Sequence, residues 1–227
     1  MYRKVIIAIS LCFLLGGCLG DNRDSHVTID RYNGETQTIK KHVKKVAKGV
    51  TYIDGILIVN KQIELPKTFN PGENQTAKSA LQTLLKDANQ KGHHLSMASG
   101  FRSYALQEQL FNDYVERDGK VKAMTYSAPP GHSEHQSGLA FDIVSENTDT
   151  NFTEAFGKTE AGAWIERHAS DYGFIIRYPK GKSDITGYQY EPWHLRYVGQ
   201  SIAQKLKREK TTLEEYVGLY SNISKDE

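Results

Sequence analysis

Two short segments carry the residue types and spacings best suited to chemistry. One is Gly131-His132-Ser133-Glu134-His135-Gln136-Ser137-Gly138-Leu139-Ala140-Phe141-Asp142, the other Tyr190-Glu191-Pro192-Trp193-His194. Asp142 lies inside an apolar run, where an unpaired carboxylate is expensive to bury, so it needs a cation. His135 stands seven residues earlier, across a Gly138 turn that lets the chain fold back and aim both side chains at one point. With His194 from a separate strand the set is two nitrogens and one carboxylate oxygen. Three ligands with an open fourth position are the arrangement of catalytic rather than structural zinc. Glu191, three residues before His194 and stiffened by Pro192, can flank such a metal without ligating it and act as general base, then as general acid. An ion pair on a sheet edge accounts for Glu191 as well. Arg102, in Ser99-Gly100-Phe101-Arg102-Ser103-Tyr104, stands at the mouth of a strand-to-helix turn. Its guanidinium suits bidentate capture of a carboxylate, which an exopeptidase needs to find a chain end. A structural arginine paired with a local acid is the competing account.

Composition narrows the options. The 227 residues are 38% hydrophobic and 25% charged, as in an ordinary globular protein of one compact domain plus appendages. Lysine and arginine number 29 against 27 acids, a charge of +2 that argues against a nucleic-acid binder with a broad basic field. The two cysteines, Cys12 and Cys18, both fall in the first eighteen residues. The rest of the chain therefore has no disulfide framework and no cysteine-ligated metal, so a metal site must use His, Asp or Glu.

Those eighteen residues look like an address. Arg3 and Lys4 precede an apolar run from Val5 to Leu15, broken only by Ser10 and followed by Gly16-Gly17-Cys18. About eleven residues make roughly 17 Å of helix, well short of a ~30 Å hydrocarbon layer. The order is that of a secretory signal. Leu15-Gly16-Gly17-Cys18 resembles the bacterial lipobox, which implies lipidation of Cys18 and anchoring to the cell membrane on its extracytoplasmic side; a simply cleaved signal and an uncleaved anchor are the alternatives. Removing residues 1–17 leaves 27 residues of each charge, so the weak basicity belongs to the signal. Residues 18–50 read as a lipid-anchored tether, ending in a basic stretch of Lys40, Lys41, Lys44, Lys45 and Lys48. A solvated helix face explains that stretch better than contact with anionic lipid or wall polymer.

The elements that must position the site follow from residue 51 to 220, with 221–227 as a tail. Gly55 to Asn60 reads as a buried strand, and Ala77, Ala80, Leu81, Leu84, Leu85 and Ala88 fall on one helical stripe between Thr76 and about Gln90. Leu95 to Phe101 reads as a strand running into a loop. Ser103 can cap a second helix ending near Gly119, and residues 120–134, with Pro129-Pro130-Gly131, read as loop. Leu139 to Val144 is a strand, Thr159 to Tyr172 a helix closed by Gly173, and Phe174 to Tyr178 and Trp193 to Val198 are further strands. Thr212-Leu213-Glu214-Glu215 has capping-box spacing. Helices and strands mix without a regular βαβ rhythm, which favours α+β with a mainly antiparallel sheet.

At this point the motifs match a known family. SEHQSGLAFD resembles the Ser-x-His-x-x-Gly-x-Ala-x-Asp signature, and EPWH the Glu-x-x-His signature, of the VanY-type zinc D-alanyl-D-alanine carboxypeptidases, whose relatives include LD-carboxypeptidases and D-Ala-D-Ala dipeptidases. SGFRSY, HASDYGFIIRYP and TGYQYEPWHLRYVG are similar to that family too, from about Ile56 to Tyr216. The resemblance implies one zinc ion held by His135, Asp142 and His194, Glu191 as catalytic acid/base, Arg102 on the substrate's terminal carboxylate and Ser133 touching substrate near the metal. Gln109 and Tyr104 would help line the pocket, His132 would be a loop residue near the cleft, and Trp193 would pack beneath the site. The implied fold is the small α+β domain shared with hedgehog-type zinc domains. The implied activity is on peptidoglycan stem peptides, removing their terminal D-alanine; a monomer is expected, although the sequence itself is silent on oligomeric state. Rival readings are an LD-carboxypeptidase acting on tetrapeptide stems, a non-catalytic cell-wall binding lipoprotein, and an endopeptidase cutting cross-links.

Overall fold

The computed structural model describes residues 25–26, 42–146 and 148–220. The signal, Cys18, Lys40, Lys41 and residues 221–227 lie outside them. Among the described residues no helix is long and apolar enough to cross a membrane.

Among the described residues the strands form two antiparallel sheets. The first has the order β1 (Ser25–His26), β2 (His42–Ala47), β3 (Val50–Ile53), β4 (Ile56–Leu57). Lys44 and Lys45 are therefore strand residues, not part of a helix face. The reason is local: Lys48 and Gly49 have φ of 50° and 80°, and Asp54 and Gly55 have 51° and 81°. Two positive φ values in a two-residue loop make a type I′ turn, whose twist matches a hairpin. Of the expected strand from Gly55 to Asn60 only Ile56 and Leu57 are strand residues; Ile58, whose N–H still donates to the Thr51 carbonyl at 2.9 Å, and Val59 continue as buried chain.

The second sheet carries the site. Its order is β5 (Leu95–Ser99), β6 (Ala140–Ser145), β8 (His194–Tyr197), β7 (Phe174–Ile176). Side chains alternate across a strand, so Phe141 and Ile143 of β6 and Leu195 of β8, all fully buried, face the core. Asp142, His194 and Arg196 then share the opposite face.

Helix α1 (Gln75–Gln90) covers the core side with Ala77, Leu81, Leu84 and Ala88. Asn74 caps it, its Oδ1 accepting the Ala77 N–H at 3.0 Å. Trp164 and Ile165 of α4 (Glu160–His168) join the same cluster. Burying one such aliphatic side chain contributes about 1.5–3 kcal/mol. Helix α2 (Tyr104–Asp118) starts at Ser103 as expected, and α3 (Lys120–Tyr126) follows directly, where loop was expected. Nothing in Lys120 to Tyr126 breaks a helix, and Ala123 seats it; the prolines act only from Pro129 onward. Short α5 (Ser183–Thr186) precedes β8. Helix α6 (Gln200–Glu209) and α7 (Leu213–Tyr216) close the chain, and α7 has the full capping box of Thr212 and Glu215.

Candidate metal centre

Three structural units converge on one point. The 3-10 turn Glu134–Ser137 supplies His135, β6 supplies Asp142 and β8 supplies His194. Asp142 and His194 are direct cross-strand partners, and Ser99 of β5 stands opposite Asp142 on its other side. The turn can reach the sheet because Gly138 adopts φ 72°, and a Cβ there would sit 2.1 Å from the Gly72 carbonyl oxygen. Only glycine fits that position.

His135, Asp142 and His194 are buried, with ligand atoms all within 4.8 Å of one another. Asp142 Oδ2 lies 3.1 Å from His135 Nε2, and Oδ1 lies 3.1 Å from His194 Nδ1. His135 Nδ1 is 2.7 Å from the Gly100 carbonyl, to which it donates, so its Nε2 lone pair is free to ligate. Burial alone would raise the Asp142 carboxyl, but the two imidazoles overcome that and hold it well below the usual carboxylate range. Burial likewise opposes charge on His194, yet its hydrogen bonds to Asp142 and Glu134 raise it to about 9. A clustered His, His and Asp with one anionic oxygen, no sulfur and a side open to a cleft is a donor set that fits zinc.

The cleft has a volume of about 770 Å³ and is lined by the triad, Glu191, Arg102, Ser133 and Trp193 among others. Glu191 Oε2 is 4.0 Å from His194 Nδ1, beside the triad and outside it. Burial pushes the Glu191 carboxyl up to about 7, with Asp142 and Glu134 adding to the rise and His194 and Lys61 opposing it. A carboxyl poised there is matched to proton transfer near neutral pH. Arg102 is held as a fork: Nη1 donates to Gln107 Oε1 at 2.8 Å and Nη2 to Ser99 Oγ at 3.1 Å. Asp142 Oδ2 is 4.0 Å from Arg102 Nη2, so the guanidinium stands beside the cluster.

A profile of VanY, D-alanyl-D-alanine carboxypeptidase, matches residues 72–200. A putative carboxypeptidase, YodJ, of Bacillus subtilis is 39% identical over 219 residues, covering 86% of this chain and 80% of that protein. The chain belongs to the VanY family. An L,D-carboxypeptidase, DacB, from Streptococcus pneumoniae superposes with a TM-score of 0.67 at 43% identity, covering 86% of this chain and 96% of that one. A VanY D,D-pentapeptidase from a VanB-type resistance cassette, solved in complex with Zn(II), gives a TM-score of 0.61 at 33% identity, covering 70% and 97%. The expected α+β peptidase fold is the one found.

Within this VanY-family fold, the structure brings together His135, Asp142, His194, Glu191, Arg102 and Ser133. It does not bring Gln109 or Tyr104 to the cleft. Gln109 is exposed on α2, and Tyr104 packs under Lys67, whose Nζ is 5.2 Å from the ring centroid. Gln107 takes the place expected of Gln109. It is 1% exposed, accepts from Arg102 and donates to the Ala128 carbonyl at 2.6 Å. Two residues along a helix are about 200° apart, so only one of the two glutamines can face Arg102. The signal for Gln107 was its i, i+4 spacing to the buried Phe111. His132 turns away, its Nδ1 2.8 Å from the Asn60 carbonyl. Trp193 lies 7% exposed, half in the core and half in the cleft wall. Sequence reasoning missed Glu134, Arg177 and Arg196, three charged side chains buried behind His194.

Proposed function

We propose that the protein is a zinc carboxypeptidase that removes the C-terminal D-alanine from peptidoglycan stem peptides. The observation that carries this reading is one cleft holding the His135–Asp142–His194 cluster, a raised Glu191 carboxyl beside it and a forked Arg102 within 4.0 Å of Asp142. An endopeptidase would have no use for a carboxylate clamp so close to the reacting centre.

Zinc in that cluster supplies Lewis acidity to a carbonyl oxygen and acidifies water. Arg102 binds the terminal carboxylate with two parallel hydrogen bonds, and Ser99 and Gln107 keep the guanidinium plane fixed while it does so. Clamping the chain end sets which peptide bond reaches the metal position. Glu191 takes the proton of the attacking water and delivers it to the departing D-alanine amine. Ser133, 5% exposed on the cleft wall, offers a hydroxyl to the substrate backbone.

A second reading keeps the chemistry and changes the preceding residue: L,D-cleavage of tetrapeptide stems. The identity of 43% to DacB, against 33% to the VanY pentapeptidase, favours it. Both substrates end in D-alanine, so Arg102 serves either. Incubating the purified protein separately with pentapeptide and tetrapeptide stems and weighing the products separates them. Loss of one alanine from neither, with binding that a chelator leaves untouched, would instead reveal a non-catalytic wall-binding module.

We also propose that Leu15-Gly16-Gly17-Cys18 directs lipidation of Cys18 and that the enzyme works outside the cytoplasmic membrane, close to its polymeric substrate. The folded catalytic unit then includes the hairpin from His42 and runs to residue 220. A Cys18→Ala variant that stays in the membrane fraction would sink the lipidation reading.

A further inference from the structure

Glu134 precedes the ligand His135 in the chain, yet its side chain serves the other histidine. It is 1% exposed, and its two oxygens have separate partners. Oε1 accepts from Arg177 Nε at 2.7 Å and from Arg196 Nη1 at 2.7 Å. Oε2 faces the Nε2 of His194 at 3.4 Å. Behind Glu134, Arg177 forks onto Glu214 of α7 at 2.9 and 2.5 Å, and Asn60 Nδ2 lies 3.4 Å from Glu214 Oε1. Arg196 Nη2 donates to the Leu57 carbonyl at 2.7 Å. The four charged side chains have 0–5% exposure. Two carboxylates and two guanidiniums balance, so Glu134 belongs to the network as an anion.

A carboxylate present only to neutralise two arginines would spread them over both oxygens, the bidentate geometry guanidinium prefers. Here both crowd onto Oε1 and Oε2 is left to the imidazole. We propose that Glu134 is a positioning residue for the metal centre. When a metal ion displaces the Nδ1 proton of His194, Oε2 keeps the other proton on Nε2 and points the Nδ1 lone pair at the position shared with Asp142 and His135. The Arg177–Arg196–Glu214 network locks Glu134 in turn, so the C-terminal helix α7 helps set metal affinity. One 3-10 turn thus delivers a ligand, His135, and the support of a second ligand from another strand. The inference rests on reading the triad as a zinc site.

The test measures zinc affinity by competition with a chromophoric chelator, and histidine tautomers by long-range proton–nitrogen NMR, on the full chain. In zinc-loaded wild type, His194 should be bound through Nδ1 with a proton on Nε2; coordination through Nε2 overturns the proposal. Glu134→Gln should weaken zinc binding about 10- to 100-fold. That variant leaves two buried guanidiniums facing one carboxylate and is expected to melt early. The double variant Glu134→Gln/Arg196→Gln restores neutrality. Positioning predicts that its melting temperature recovers while its zinc affinity stays low. Affinity that recovers with stability, or Glu134→Gln protein that binds zinc as wild type does, means the role is structural only. Wild-type protein that takes up no zinc overturns the reading of the triad itself, and the positioning role with it.

Discussion

Glu191→Gln separates the acid's chemical task from its structural cost. In the metal-free protein burial moves this carboxyl from 4.5 to about 7. Each unit corresponds to 1.36 kcal/mol, so keeping Glu191 ionised in the fold costs roughly 3 kcal/mol. The sign follows from the direction. An acid whose pKa is higher folded than unfolded favours the native state while protonated, below pH 4.5, and loses that stability as pH rises through about 7. Glutamine is neutral at every pH. In chelator-treated protein Glu191→Gln should therefore be more stable than wild type by up to about 3 kcal/mol at pH 8, and nearly equal to it below pH 4.5. Zinc should shrink the gain, because a nearby dication favours the ionised carboxylate. Zinc content should stay at one ion, since Glu191 lies outside the triad, while hydrolysis of a stem peptide falls about 10²- to 10⁴-fold. Denaturant titrations at the two pH values, with and without zinc, plus a mass-spectrometric turnover assay, read all of this. A variant no more stable than wild type at pH 8, or one that keeps near-normal turnover, would refute the account of Glu191 as a buried base.

Three further outcomes are expected. In zinc-saturated enzyme kcat/KM should rise with pH through an acid limb no higher than the metal-free value of about 7, because zinc favours ionisation; a profile flat down to pH 4.5 would contradict it. Arg102→Lys keeps the charge and loses the fork, so kcat/KM should drop by roughly 10- to 100-fold, and a substrate with a C-terminal amide should be poor for wild type yet little worse for the variant. Equal penalties for both proteins would show that Arg102 does not meet the terminal carboxylate. Gly138→Ala should lower the melting temperature sharply and abolish zinc uptake, since the new Cβ meets the Gly72 carbonyl at 2.1 Å in a left-handed conformation; normal zinc binding would mean the turn can relax.

The triad was legible because each member breaks a local pattern: Asp142 interrupts an apolar strand, and two histidines flank turns that can face it. The same logic applies to Arg177 after Phe174-Ile175-Ile176 and to Arg196 after Leu195, charges set against apolar runs. What sequence lacks is their partner, because Glu134 lies 43 and 62 residues away in the chain. Helix α1 and the α7 capping box are written locally, in an apolar stripe and a Thr-to-Glu spacing, and appear as read. The β2–β3 hairpin was hidden by lysine's neutrality between helix and solvated strand; the Lys48-Gly49 and Asp54-Gly55 pairs were the cue. Choosing Gln107 over Gln109 required the phase of α2, which a weakly amphipathic helix with exposed Leu106 does not advertise.

Asp142 and His194 are paired across β6 and β8, 52 residues apart in sequence. Slipping that pairing by one residue would swing one of them to the apolar side of the sheet and destroy the cluster. A zinc ion bound by the triad would therefore recognise a single alignment of these strands, and its binding free energy would be added to that alignment alone. A zinc ion held there would select the strand alignment during folding as well as supply Lewis acidity: refolding with zinc present should raise the yield of native protein, and an unchanged yield would contradict this.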